Sequence, residues 1–124
     1  MKTKLILAAL AAAAPLTAAD AMNVAVFLDK AGALEKRGPL ALFSSDYKLL
    51  KREVQTASEQ LRAERLAAQK AGRTPAYCPP AKGGGLTPSE LLAQLRTIPA
   101  EQRARVDLKD GLRAVLKRKY PCPG

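Results

Sequence analysis

Apolar residues recur along this chain at spacings of three and four, and the residues between the runs divide it into four helices. The first run is Val24, Phe27, Ala31 and Leu34; Asn23 stands before it as an N-cap, and Gly38-Pro39 ends it. Gly32 slightly weakens its middle. The run Pro39-Leu40-Ala41-Leu42-Phe43 is apolar but too short for a full helix, and reads as a tight turn of about one helical turn. Ser44, Ser45 and Asp46 then offer caps for the longest helix, residues 46–71. Its apolar stripe is Tyr47, Leu50, Val54, Ala57, Leu61 and Ala68, and Gly72 is its stop. The stripe is narrow and rich in alanine, which suits packing within one chain better than a coiled-coil seam.

Residues 73–86 hold three prolines and three glycines, a composition that forbids regular structure. Thr87-Pro88-Ser89-Glu90 is a helix start: Thr87 caps, Pro88 takes the first helical position, and Glu90 completes a capping box. Leu91, Leu92, Leu95 and Ile98 make the buried face, and Pro99 stops the helix. Residues 100–105 read as a polar connection. Asp107 caps the last helix, with Asp110 in the box position, and Leu108, Leu112, Val115, Leu116 and Tyr120 form its apolar face. Lys117, Arg118 and Lys119 lie where the helix dipole favours cations, and Pro121 ends the run. No strand alternation and no internal repeat occur. Aromatics are only 4% of a chain that is 48% hydrophobic, so Leu, Val and Ala must build the core, and such a composition favours helices.

The first residues follow another logic. Lys2 and Lys4 precede an apolar run over 5–14 that is too short to span a bilayer; Pro15 and small residues follow, and Ala19-Asp20-Ala21 is a cleavage pattern. Residues 1–21 thus read as a cleaved signal peptide, and residues 22–124 as a single all-helical domain, periplasmic or secreted. The cleavage point has no cysteine, which disfavours a lipoprotein. No later stretch is apolar enough to cross a membrane.

Export makes the two cysteines, Cys78 and Cys122, informative. In an oxidising compartment they pair, and closing so long a loop stabilises by about 4 kcal/mol in the chain-entropy model. A bridge to a second chain through the near-terminal Cys122 is the alternative. Two cysteines without a histidine cannot complete a tetrahedral zinc site, and no C-x-x-C redox pair is present. The expected architecture is all-α: a small four-helix domain with one long helix and a disulfide-closed C-terminal helical hairpin.

The chain contains no histidine, which removes Ser-His and Cys-His pairs and histidine acid–base catalysis. Ser45-Asp46-Tyr47-Lys48 matches an S-x-x-K spacing, but its companion motifs are missing and helix capping explains it. Asp107 with Asp110, and Gly83-Gly84-Gly85 before a helix, have equally plain structural readings. The chain therefore reads as a non-enzyme with no catalytic residue, metal or cofactor. Twenty-one basic residues stand against 11 acidic ones, a net charge of +10. Nucleic acid is set aside as a partner, because an exported protein rarely meets it and no basic motif is interleaved with aromatics. Lys48, Lys51, Arg52, Arg62 and Arg65 form a candidate basic face for anionic envelope components; a merely solvated surface is the plainer reading.

Cys78-Pro79-Pro80, Gly85-Leu86-Thr87, Leu91, Leu95, Pro99, Arg103 and the closing Tyr120-Pro121-Cys122-Pro123 resemble the Rap/Tai family of type VI secretion immunity proteins. The resemblance covers residues 76–122; the first half, with its long basic helix, departs from the family pattern. It implies a small all-helical periplasmic protein, often dimeric, that occludes the active site of a peptidoglycan amidase effector. Cys78 and Cys122 would take the family's structural cysteine positions. No inhibitory residue of the family matches one here. The candidate partner contacts are Arg73, Tyr77, Lys82 and Gly84, in the constrained loop between the second and third helices. The runner-up function is a basic envelope structural or adaptor protein on anionic surfaces.

Overall fold

Three of the four helices start where a side chain catches an otherwise unpaired backbone N–H. The computed structural model describes residues 21–124; the expected signal peptide, apart from Ala21, lies outside the described residues. In α1, Val24–Arg37, the Asn23 oxygen accepts from Val26 N–H at 2.9 Å. In α2, Ser45–Lys70, Ser44 Oγ accepts from Tyr47 N–H at 3.1 Å. In α3, Pro88–Leu95, Thr87 Oγ1 accepts from Glu90 N–H at 3.1 Å. Each helix also ends on a local device. Gly38 turns α1 with φ 66° into a 3-10 segment, Gly38–Phe43, the short apolar turn expected there. Gly72, at φ 71°, closes α2: its N–H donates to Gln69 O and Arg73 N–H to Ala68 O, a Schellman motif.

Several local expectations yield to longer-range bonds. Only half of the box at Thr87 forms, because the Glu90 carboxylate pairs with Lys119 at 2.6 Å. Helix α3 ends at Leu95, before Ile98, since Pro99 offers no N–H and disfavours helical geometry in the residue before it. Residues Ala100–Arg105 are a 3-10 segment rather than an irregular connection, and Arg103 folds back from it onto the carbonyls of Ile98 and Arg96, at 2.9 and 2.8 Å. The Asp107 side chain makes no cap for α4, Leu108–Lys119. The main chain meets one α4 donor instead: Asn23 and Asp107 form an isolated antiparallel bridge, Leu108 N–H donates to Met22 O at 2.8 Å, and Val24 N–H to Val106 O at 2.9 Å. Asp110 is drawn to Arg113 at 2.6 Å.

The fold is all-α, with no strand among the described residues beyond that bridge. Helix α4 packs against α1, α2 and α3, and α1 against α2. The core is Val24, Phe27, Leu28 and Ala31 of α1, Leu50, Ala57 and Leu61 of α2, Tyr77, Leu91 and Leu95, and Leu108, Leu112 and Val115 of α4. Burying each large aliphatic side chain contributes about 1.5–3 kcal/mol. Glu64 joins α2 to α4 through Lys109 and Arg113. Its carboxyl titrates below the usual value, chiefly through the Lys109 hydrogen bond, with partial burial opposing and Arg113 assisting. These side chains are 31–46% exposed, so solvent screens the pairing, which orients the helices more than it stabilises them. Cys78 and Cys122 are bridged within the chain, with Cα atoms 4.9 Å apart, which settles the intermolecular alternative.

Gly111 sits where α4 crosses α1 and α3. A Cβ there would lie 3.0 Å from both Leu95 Cδ2 and Val24 Cγ2, whereas one on Gly32 would meet nothing within 4 Å. Both glycines are helical, so an added side chain gains the same propensity at each, and the difference reports packing. Gly32→Ala is expected to stabilise by about 0.5–1 kcal/mol. Gly111→Ala is expected to lose that gain and to destabilise by up to about 2 kcal/mol through overpacking. Urea unfolding followed by circular dichroism measures both; equal effects would mean that Gly111 is not a close-approach site.

Candidate functional site

The loop over residues 73–86 is tied down along its length. Cys78 carries the disulfide, and its N–H donates to Tyr120 O at 2.8 Å. Gly85 N–H donates to the Tyr120 hydroxyl oxygen at 2.9 Å, and Lys119 Nζ donates to Gly85 O at 2.6 Å. Lys119 also holds Glu90, and that hydrogen bond in particular raises the Lys119 pKa above its ordinary value, against the weaker effect of desolvation. The end of α4 thus grips the loop at Cys78 and Gly85. The stretch between these anchors runs through Lys82, Gly83 and Gly84, all exposed.

Behind the loop lies an open groove of about 560 Å³, walled by all four helices. That volume falls within the range typical of small-molecule sites. Phe27, Ala31 and Leu34 line it from α1, Leu50 and Val54 from α2, Leu91 and Leu92 from α3, and Leu112 and Leu116 from α4. Its polar members include Lys51, Gln55, Ser58, Arg62 and Arg65 along α2. The single carboxylate of the lining, Glu35, is paired with Arg96 at 2.7 Å.

The candidate residues from the sequence divide around this groove. Tyr77 and Gly84 line it, while Arg73 and Lys82 stand exposed outside the lining. Tyr77 is only 6% exposed and belongs to the core, with the Arg65 guanidinium 5.6 Å from its ring centre. Of the five basic residues on α2, Lys51, Arg62 and Arg65 line the groove; Lys48 and Arg52 are exposed further round the helix. None of the five is in an ion pair among the described residues. Arg65 differs from the rest: its Nε is buried without a hydrogen-bond partner.

Two features escape sequence reasoning. The first is the groove itself. No local signal marks it: Val54, Leu92 and Leu116 read as core positions from their spacing, yet remain only partly buried. The second is the 3-10 segment, where Leu40, Leu42 and Phe43 are 77%, 56% and 82% exposed. It forms an apolar knuckle with Lys36 and Arg37 before it and Lys48 after it. Among the described residues no cluster of three acidic or cysteine side chains is placed to hold a metal, and no helix is long and apolar enough to cross a membrane.

No family model, curated protein or solved structure matches the chain.

The loop depends on its sulfur anchor. The Cys78→Ser/Cys122→Ser double variant is expected to lose about 2–5 kcal/mol of stability. It should also lose amide protection first at Cys78 and Gly85, whose N–H groups are held by Tyr120. Hydrogen exchange read by mass spectrometry checks both; unchanged protection in the loop would show that the Tyr120 bonds suffice without the bridge.

Proposed function

We propose that this chain is an exported binding protein of the immunity type, which neutralises a peptidoglycan-cleaving amidase by covering its cleft. The observation that carries this reading is the anchored loop. A segment with an exposed Lys82-Gly83-Gly84 tip is held from behind by the disulfide, by the Cys78 and Gly85 N–H groups donating to Tyr120, and by the Gly85 carbonyl accepting from Lys119. A surface ordered in advance loses little entropy on binding, which suits an inhibitor that has to enter a cleft. The sequence resemblance over residues 76–122 points to the same unit. A purified amidase encoded beside this chain's gene is expected to be inhibited one-to-one. Lys82→Glu combined with Gly84→Trp should weaken that inhibition about tenfold or more without unfolding the protein. Full amidase activity in excess protein would falsify the reading.

A second reading rests on the cations of α2. Lys48, Lys51, Arg52 and Arg62 are exposed and in no ion pair among the described residues, and the apolar knuckle lies just before them. Cations beside exposed apolar side chains suit an anionic lipid surface. An envelope adaptor of this kind should bind anionic vesicles with an affinity that falls steeply as salt rises. Salt-insensitive or absent binding in vesicle sedimentation removes this reading.

A further inference from the structure

Three apolar side chains stand together in solvent where the chain passes from α1 to α2. They are Leu40, Leu42 and Phe43, in the 3-10 segment Gly38–Phe43. Single exposed apolar residues are ordinary, whereas a cluster of them marks a surface that meets something. Three residues per turn place Leu40 and Phe43 one above the other, and both point outward while Ala41 is buried. The segment is also fastened. Ser44 N–H and Ser44 Oγ donate to Ala41 O at 3.0 and 2.7 Å, and the segment packs against both α1 and α2. The exposure therefore belongs to an ordered element.

Cations flank it on both sides. Lys36 and Arg37 close α1 just before the knuckle; Lys48 and Arg52 follow on α2, four residues apart and so on one face. All four are exposed, none is in an ion pair among the described residues, and none lines the groove. The neighbouring carboxylates are engaged or partly covered: Glu35 is held by Arg96, Asp46 by Lys30, and Glu53 is half-buried.

We propose that this knuckle inserts Leu40 and Phe43 into an anionic phospholipid bilayer, with Lys36, Arg37, Lys48 and Arg52 seated on the phosphates around it. The inference rests on the second reading above and adds to it the segment that enters the lipid. A second copy of the chain suits the patch less well. It would set four like charges against these four, and a stable protein interface uses about 20–30 residues a side, far more than project here. A bilayer takes in single apolar side chains without a matching shape, and long basic side chains lie along it with their charges among the headgroups.

The chain has no tryptophan, so Phe43→Trp puts a single fluorophore on the knuckle. The full, disulfide-bonded chain is mixed with phosphatidylcholine vesicles, with and without phosphatidylglycerol. The emission of Phe43→Trp is expected to shift to the blue, and to be quenched by brominated lipid, only when phosphatidylglycerol is present. Ala81→Trp, in the exposed loop, should show neither effect. Leu40→Ser combined with Phe43→Ser should weaken co-sedimentation with these vesicles about tenfold or more, and Lys48→Glu combined with Arg52→Glu should do the same. The loop tip assigned to amidase binding lies outside the knuckle, so amidase inhibition should not change in the serine variant. Binding that the glutamate variant loses and the serine variant keeps would overturn the insertion and leave the second reading standing. Absence of binding would remove both. An equal shift on phosphatidylcholine alone would overturn the proposal, as would a lipid-free dimer that the serine variant dissolves.

Discussion

Helix α4 is clamped at both ends, and the rest of the domain is arranged around that constraint. At its start, main-chain bonds from Val24 and Leu108 lock residues 106–108 against the lead-in of α1. At its end, Tyr120 and the Cys78–Cys122 bridge fasten it to the loop after α2. Between the clamps, Gly111 lets α4 approach Val24 and Leu95 closely, and Leu112 and Val115 complete the core. A domain this small has little core to spare, so covalent closure supplies a sizeable share of its stability. The same closure presents the loop: it is ordered because the end of α4 is.

The groove follows from what the clamped frame has available to fill it. Helix α3 has eight residues, and the loop wall beside it ends in glycines that carry no side chains. Aromatic residues are scarce: Phe43 stands exposed in the apolar knuckle, and the partly buried Tyr47 lines the groove. The four helices therefore close over part of the core and leave a groove along the rest, lined by core residues such as Phe27, Leu50 and Leu112. Five acidic side chains are drawn into ion pairs: Glu35 with Arg96, Asp46 with Lys30, Glu64 with Lys109 and Arg113, Glu90 with Lys119, and Asp110 with Arg113. Along α2 the unpaired Lys48, Lys51, Arg52, Arg62 and Arg65 outnumber the unpaired Glu53 and Glu59 among the described residues, so a positive excess remains there.

Features governed by neighbouring residues were legible in advance. Asn23, Ser44 and Thr87 cap as expected, because a cap needs only an N–H two or three residues away. Gly38, Gly72 and Pro99 punctuate for equally local reasons. The cap expected at Asp107 does not form, and the one α4 donor met from elsewhere, the Leu108 N–H, is met by Met22 O from far away in sequence. Tyr77 was a fair loop candidate on exposure-blind grounds, yet its ring is core.

By itself, then, the order of residues determined the helical class, the number of helices, where most of them begin and end, and which two sulfurs were available to pair. Tertiary structure alone decided that those sulfurs meet within one chain, that Arg65 is left with a buried donor while Lys48 and Arg52 face away, and that Leu40, Leu42 and Phe43 stand exposed. The physical reason is range. Backbone caps and periodicity act over one helical turn, whereas burial depends on what the remainder of the chain places against a surface, and no window of sequence contains that.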